Sequence, residues 1–90
     1  CIVEACVPMA SVLVVDDYED TRELLRTVLS SRGHAVYLAA DGEQGVRLAK
    51  DCHPTVVVMD LFMPNMDGFE ATRRIRAQAQ NAATRVIAYT

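Results

Sequence analysis

The feature that most constrains the fold is an alternation along the chain between short apolar runs and segments with a helical apolar period. Four runs are short enough to suit strands, and the first of them suits a strand covered on both faces and is too short for a buried helix. They are SVLVVD from Ser11, HAVYLA from His34, TVVVM from Thr55 and TRVIAY from Thr84. Three amphipathic segments separate them. The order βαβαβαβ predicts an α/β fold, with a doubly wound parallel sheet, right-handed crossovers and helices on both faces.

Polar residues mark the ends of the three predicted helices, near 19–32, 42–51 and 68–78. Asp20 and Glu23 are spaced as a capping box in the first, whereas Asp41 and Asp67 are placed to cap the second and third. The first helix is predicted to pack through a stripe of Leu24, Leu25, Val28 and Leu29. The third is predicted to pack through a face made of Phe69, Thr72, Ile75 and Ala79.

Composition excludes several classes of protein. A chain of 90 residues with a net charge of −3 lacks the basic footprint of a nucleic-acid-binding domain. Three cysteines without C-x-x-C spacing argue against a disulfide framework or structural zinc, and favour a reducing cytoplasm. No apolar run is long enough to span a membrane. Residues 1–10 lack signal-peptide character and are interpreted as an artefactual N-terminal extension, with Met9 as a candidate natural start.

Acidic residues follow two of the predicted strands. Asp16 and Asp17 end the first strand, Asp60 ends the third, and Thr90 ends the fourth. Because the carboxyl ends of parallel strands meet at one edge, these side chains are expected to converge. A carboxylate at the end of a Val-Val-Val-Met run costs several kcal/mol unless it is paired, and no Lys or Arg neighbours Asp60 in sequence.

A bound divalent cation would offset this cost and the repulsion between the three acids. Carboxylate ligands favour Mg²⁺ or Mn²⁺ over softer metals. Such a metal beside a strand-end carboxylate suggests phosphoryl chemistry, with the carboxylate as nucleophile. Two alternatives remain open from the residues alone. Asp16 and Asp17 could cap the next helix, and the cation could have a structural role only.

The chain resembles the receiver domain of two-component response regulators. The resemblance rests on VLVVDDYEDTRELL, GHAVYLAADGEQGVRLA, PTVVVMDLFMPNMDGFEATRRIR and RVIAYT, and the D-L-x-M-P-x-M-D-G block is highly specific. It implies a flavodoxin-like sheet of order 2-1-3-4 and a phosphoacceptor at Asp60. It also implies Mg²⁺ ligation directly by Asp17, largely through water by Asp16, and by Asp60 and the backbone carbonyl of Phe62. Thr90 resembles the switch hydroxyl.

By this resemblance, the domain is a phosphoacceptor and not an enzyme, and its partner is a histidine kinase or histidine phosphotransfer protein. The resemblance spans residues 11–90, a partial receiver, because the family adds a fifth strand with a phosphoryl-contacting lysine and two more helices after the position of Thr90. We therefore expect an impaired signalling readout, and a homo-oligomer or domain swap through the uncovered sheet.

Two other functions are weighed against the receiver. One is a non-catalytic interaction or structural fragment that folds only by oligomerisation or with a partner. The other is a haloacid-dehalogenase-like phosphatase with an aspartyl nucleophile. That pattern requires a second aspartate two residues after the first, and Phe62 occupies this place. The phosphatase is therefore disfavoured.

Overall fold

Strands and helices form in the predicted order, and their bounds fall within one residue of those expected. The structure is a computed structural model and describes residues 10–89. The strands are β1 (Ser11–Val15), β2 (Ala35–Ala39), β3 (Val56–Asp60) and β4 (Arg85–Tyr89). The helices are α1 (Glu19–Ser31), α2 (Gly42–Cys52) and α3 (Gly68–Ala77), followed by a short 3₁₀ turn at Ala79–Asn81. None of these helices is long and apolar enough to cross a membrane.

The four strands make one parallel sheet in the order β2-β1-β3-β4, which confirms the expected order. Val15 of β1 pairs with Met59 of β3, and Asp60 of β3 pairs with Tyr89 of β4. The carboxyl ends of β1, β3 and β4 therefore lie level with one another. Helix α1 lies over β1 and β2, whereas α2 packs against α3 on the opposite face.

The core lies between the sheet and the α2–α3 layer. Its buried members are Leu13, Val15, Ala39, Ala49, Val57, Met59, Met63, Ala71 and Ile75. Helix α2 approaches the sheet closely at Gly45, where an added Cβ would lie 2.8 Å from Cγ2 of Val15. Glycine costs a helix about 0.5–1 kcal/mol relative to alanine. Here this cost is offset by the close packing of α2 on β1.

Helix α1 departs from its sequence-based prediction in two ways. None of its residues is fully buried: Leu25 and Leu29 are half-buried, but Leu24 and Val28 are 63% and 43% exposed, so the predicted stripe is partly wrong. The predicted capping box is also wrong. Tyr18 occupies the N-cap position without a side-chain cap, and Glu23 instead pairs with Arg26 at 2.8 Å. The apolar period correctly predicts a helix. Which residues of that helix are buried depends on the elements that pack against it, and the local sequence does not specify them.

Helices α2 and α3 begin at the predicted caps. Asp41 accepts a hydrogen bond from the Gln44 N–H at 2.7 Å, and Asp67 accepts one from the Glu70 N–H at 2.9 Å. The predicted face of α3 is partly wrong. Ile75 is buried as expected, together with Ala71, whereas Phe69 is 62% exposed.

A buried polar cluster connects the end of α2 to the segment that leads into β4. Asn81 is fully buried, and its side-chain amide donates to the Ala49 carbonyl at 2.9 Å. Thr84, also buried, donates from its hydroxyl to the Pro54 carbonyl at 2.9 Å. These bonds satisfy two backbone carbonyls near the end of α2 and fix where β4 starts. They thereby help to align β4 with the edge of the sheet that carries the acids.

Candidate functional site

The three predicted carboxylates converge at the carboxyl edge of the sheet. Asp16, Asp17 and Asp60 each offer an oxygen, and these three atoms all lie within 4.8 Å of one another. Asp16 is buried, at 3% exposure, while Asp60 is half-buried and Asp17 is exposed. Convergence predicted from strand ends is therefore confirmed for the acids. Thr90 lies outside the residues that the structure describes.

Asp16 is fixed by three donors from different parts of the chain. Its Oδ1 accepts from the Tyr18 N–H at 2.9 Å, and its Oδ2 accepts from the Tyr89 hydroxyl. Nη1 of Arg22 donates to the backbone carbonyl of Asp16 at 2.8 Å. Since α1 has Tyr18 at its N-cap position and no side-chain cap, the alternative role of Asp16 and Asp17 as helix caps is wrong.

Asp60 lies at the start of a tight loop between β3 and α3. Its Oδ1 accepts from the Phe62 N–H at 3.1 Å, which restrains one oxygen of the carboxyl group. The loop returns to the strand at Gly68, whose N–H donates to the Leu61 carbonyl at 3.1 Å. A Cβ at Gly68 would lie 2.7 Å from the Leu61 Cα, so this approach requires glycine.

The negative charge of the three acids is not neutralised by ion pairs with basic side chains of the described residues. Burial raises the pKa of Asp60 above its usual range, and the nearby Asp16 and Asp17 raise this pKa further, while the Phe62 N–H opposes them. Burial and the hydrogen bond to Asp16 likewise raise the pKa of the Tyr89 hydroxyl. The ion pairs found within residues 10–89 involve Glu23 and Glu70 instead of these acids.

The residues present fit a hard divalent cation. Three carboxylates that repel one another, one of them buried, form a set of oxygen donors of the kind that Mg²⁺ and Mn²⁺ prefer. Arg22 does not neutralise the Asp16 carboxylate through the bond described above, because its guanidinium contacts the backbone carbonyl. A bound cation would supply the missing positive charge.

Comparison with known families agrees with this geometry. The family model described as response regulator receiver domain matches residues 12–90. The chain belongs to this family. Receiver domains of response regulators are signalling modules of two-component systems, and the sequence-based assignment to that class is confirmed.

Three similar proteins place this receiver domain among known ones. PilH of Pseudomonas aeruginosa is 42% identical over 82 residues, which are 91% of this chain and 68% of PilH. The chemotaxis protein CheY4 of Vibrio cholerae has a TM-score of 0.86 at 35% identity, covering 89% of this chain and 67% of CheY4. The receiver domain of the sensor histidine kinase PA1611 from P. aeruginosa has a TM-score of 0.84 at 37% identity, covering 90% of this chain and 66% of that domain.

The last of these structures bears directly on the metal. The PA1611 receiver domain holds a magnesium ion coordinated in its active-site cleft. Our receiver domain presents its three aspartates at the carboxyl edge of a sheet that aligns closely with that fold.

Some relatives are much longer than this chain. The chain covers only about a third of them, such as 32% of the transcriptional regulatory protein AfsQ1 of Streptomyces coelicolor.

Sequence reasoning missed two residues of the site. Tyr89 and Arg22 both contact Asp16, yet Tyr89 is uncharged and the spacing of Arg22 from Asp16 does not mark it for this role. The pairing of β4 with β3 is what places Tyr89 at the site. Once β4 pairs with β3, Tyr89 is the direct neighbour of Asp60 and must point to the same side of the sheet.

Replacing Asp60 with asparagine is expected to stabilise the metal-free receiver domain at pH 7 by about 1 kcal/mol, because one of three repelling charges is removed. For a domain of this size the Tm should rise by roughly 4–8 °C. The pKa of Asp60 is raised in the folded chain. Its ionisation therefore destabilises the fold as pH rises from the unfolded pKa of this group through its folded pKa. The gain should therefore shrink as pH falls through the raised folded pKa of Asp60 and vanish below the unfolded pKa.

Thermal melts of both chains in EDTA between pH 3 and pH 7, followed by circular dichroism, measure this difference. Asp20→Asn is the control, since Asp20 is an exposed acid in the first turn of α1 and lies outside the cluster. Its loss should lower stability slightly, because acids favour a helix N-terminus. An Asp60→Asn chain that melts below the wild type at pH 7 would contradict the prediction.

Proposed function

We propose that this receiver domain acts in the cytoplasm and accepts a phosphoryl group on Asp60 from a phosphohistidine of a histidine kinase or histidine phosphotransfer protein. The observation that carries the proposal is the convergence of Asp16, Asp17 and Asp60 within 4.8 Å at one sheet edge. Membership of the receiver family supports it. The magnesium ion in the PA1611 receiver domain supports the same chemistry at the corresponding edge.

In the proposed reaction, a carboxylate oxygen of Asp60 forms a bond to phosphorus as the bond from phosphorus to the donor histidine nitrogen breaks. The electron pair of that bond leaves with the imidazole, and an aspartyl phosphate remains. Asp17 and Asp16 would hold Mg²⁺ or Mn²⁺, with the Phe62 backbone carbonyl as a further ligand. The cation supplies positive charge toward the transferred phosphoryl oxygens.

The chain orients Asp60 for this step. The Phe62 N–H holds Oδ1, and β3 brings the carboxyl group to the solvent end of a buried strand. The Thr90 hydroxyl, next along the chain after β4, would contact the new phosphoryl group as the switch residue. The charge of the phosphoryl group would then shift the equilibrium between two conformations of the domain that present different surfaces.

Labelling with a small phosphodonor tests the proposal. The chain is incubated with Mg²⁺ and acetyl phosphate, and mass spectrometry locates the added phosphate. We expect an acid-stable, base-labile phosphate on Asp60 that is absent from Asp60→Asn and is lost when EDTA replaces Mg²⁺. Folded protein that acquires no label, or label that persists in Asp60→Asn, would overturn the proposal.

One observation favours the second candidate, an interaction fragment that assembles with itself or a partner. No residue of α1 is buried, and large apolar side chains are exposed on α1 and β4, including Leu24, Val28 and Ile87. Exposed apolar side chains on a helix and an edge strand are the kind of surface that a second chain or a partner can cover. Folded, oligomeric protein without phosphate on Asp60 would favour this candidate over the receiver function.

A further inference from the structure

Tyr89 stands in one row with two of the acids. It ends β4 and pairs in register with Asp60, while Asp16 follows Val15, whose partner is Met59. Asp16, Asp60 and Tyr89 thus occupy the same level of three neighbouring strands. Side chains at one level of a parallel sheet share a face. The Tyr89 hydroxyl accordingly reaches Asp16 across the β3 strand and donates to its Oδ2.

We propose that Tyr89 is a positioning residue for the cation, acting by holding the Asp16 carboxylate in the orientation that binding requires. The inference rests on the proposed function, because it assigns a role at the same metal site. Tyr18 N–H holds one carboxylate oxygen of Asp16 and the Tyr89 hydroxyl holds the other. With both oxygens bonded, rotation of the carboxylate about its Cβ–Cγ bond is blocked.

The backbone of Asp16 is equally constrained. Its N–H donates to the Ala39 carbonyl at 3.1 Å, and its carbonyl accepts from Arg22 at 2.8 Å. Rotation of the side chain is therefore the main freedom left to this residue. The Tyr89 hydroxyl removes it, using a donor that comes from a strand two places away in the sheet.

The hydrogen bond leaves Asp16 able to bind. Each carboxylate oxygen has about two lone-pair sites, so each can accept one protein donor and still face a cation or its bound water. The bond from Tyr89 also withdraws some negative charge, which alone would weaken a ligand. Measured cases decide which effect is larger, since loss of a partner that orients a metal ligand typically costs 10–100-fold in metal affinity. Orientation is therefore expected to dominate.

Titration calorimetry with Mg²⁺ alone tests this role. We expect Tyr89→Phe to weaken Mg²⁺ binding about tenfold relative to the wild-type chain. Tyr37→Phe is the matched control, because it removes the same hydroxyl from a partly exposed tyrosine on β2, the strand at the far edge of the sheet from β4. This control should bind like the wild type. Wild-type or tighter affinity in Tyr89→Phe would overturn the inference.

A spectroscopic measurement separates positioning from a general loss of structure. The carboxyl carbon-13 resonance of Asp16 should shift in Tyr89→Phe and stay in place in Tyr37→Phe. In the wild-type chain, labelled at tyrosine Cζ, Tyr89 should resonate apart from Tyr18 and Tyr37 both before and after Mg²⁺ saturation. This second measurement needs no variant, so it holds even where Tyr89→Phe does not fold. A Tyr89 resonance that coincides with the other two would overturn the inference.

Failure of the two proposals can be told apart. A wild-type chain that binds no Mg²⁺ overturns the proposed metal site and the positioning role together. A wild-type chain that binds Mg²⁺ and takes up phosphate, with Tyr89→Phe unchanged in affinity and in the Asp16 resonance, overturns only the role of Tyr89.

Discussion

Replacing Asp17 with asparagine is expected to lower the affinity of the receiver domain for Mg²⁺ by about a hundredfold or more. Asp17 is the exposed member of the acid cluster, so its side chain contributes charge and a ligand oxygen without supporting the core. Asparagine keeps the shape and one oxygen but removes the negative charge that a hard cation requires. The loss should exceed the tenfold effect expected at Tyr89, because Asp17 would touch the cation directly.

Titration calorimetry measures this affinity, and circular dichroism confirms that the variant is folded. Asp20→Asn is the control. It removes one exposed carboxylate three positions along the chain, and so tests whether the overall charge explains any loss. Mg²⁺ binding that survives intact in Asp17→Asn, or that falls equally in both variants, would contradict a site built on this cluster.

Replacing Asn81 with alanine is expected to destabilise the fold by about 2–3 kcal/mol. Asn81 is fully buried, and its amide donates to the Ala49 carbonyl while its Oδ1 lies 3.4 Å from the Thr84 hydroxyl. Alanine would remove a buried hydrogen bond, worth about 0.5–1.5 kcal/mol, and leave a cavity in its place, while the Ala49 carbonyl keeps the His53 N–H as a donor. For a domain of this size the Tm should fall by roughly 10–20 °C.

The neighbouring Gln80 offers a matched control for this variant. Its side-chain amide also donates to a carbonyl near the end of α2, that of Lys50 at 3.2 Å, but Gln80 is exposed. Water can replace the lost donor there, so Gln80→Ala should change the Tm by no more than a few degrees. Urea or thermal unfolding measures both. Equal effects of the two variants would show that burial of the amide is not what stabilises this junction.

Much of the fold follows from local patterns in the sequence. A short continuous apolar run such as SVLVV suits a strand covered on both faces, as β1 is, and Asp41 and Asp67 cap helices because their side chains bond backbone groups three residues away. The convergence of Asp16 and Asp60 follows as well, since parallel strands bring their carboxyl ends to one edge. These inferences depend on short-range chemistry and on topology.

Other features depend on contacts between residues distant in sequence. The period of α1 predicted a helix correctly, yet which of its residues would be covered depended on what packs there, and Leu24 remains exposed. Asn81 gave no signal because its partner, Ala49, lies 32 residues away. Gly45 weakens α2 by local propensity, and the reason for a glycine there is Val15, which comes from a strand 30 residues earlier in the chain.

The sequence by itself thus determined the class of fold, the family and the three acids of the site. Only the tertiary structure decided which groups surround those acids. Tyr89 reaches Asp16 from 73 residues away, because the pairing of β4 with β3 brings its hydroxyl to the level of the cluster. Strand register is set by the packing of the whole sheet, and a local pattern cannot specify a contact that the register creates.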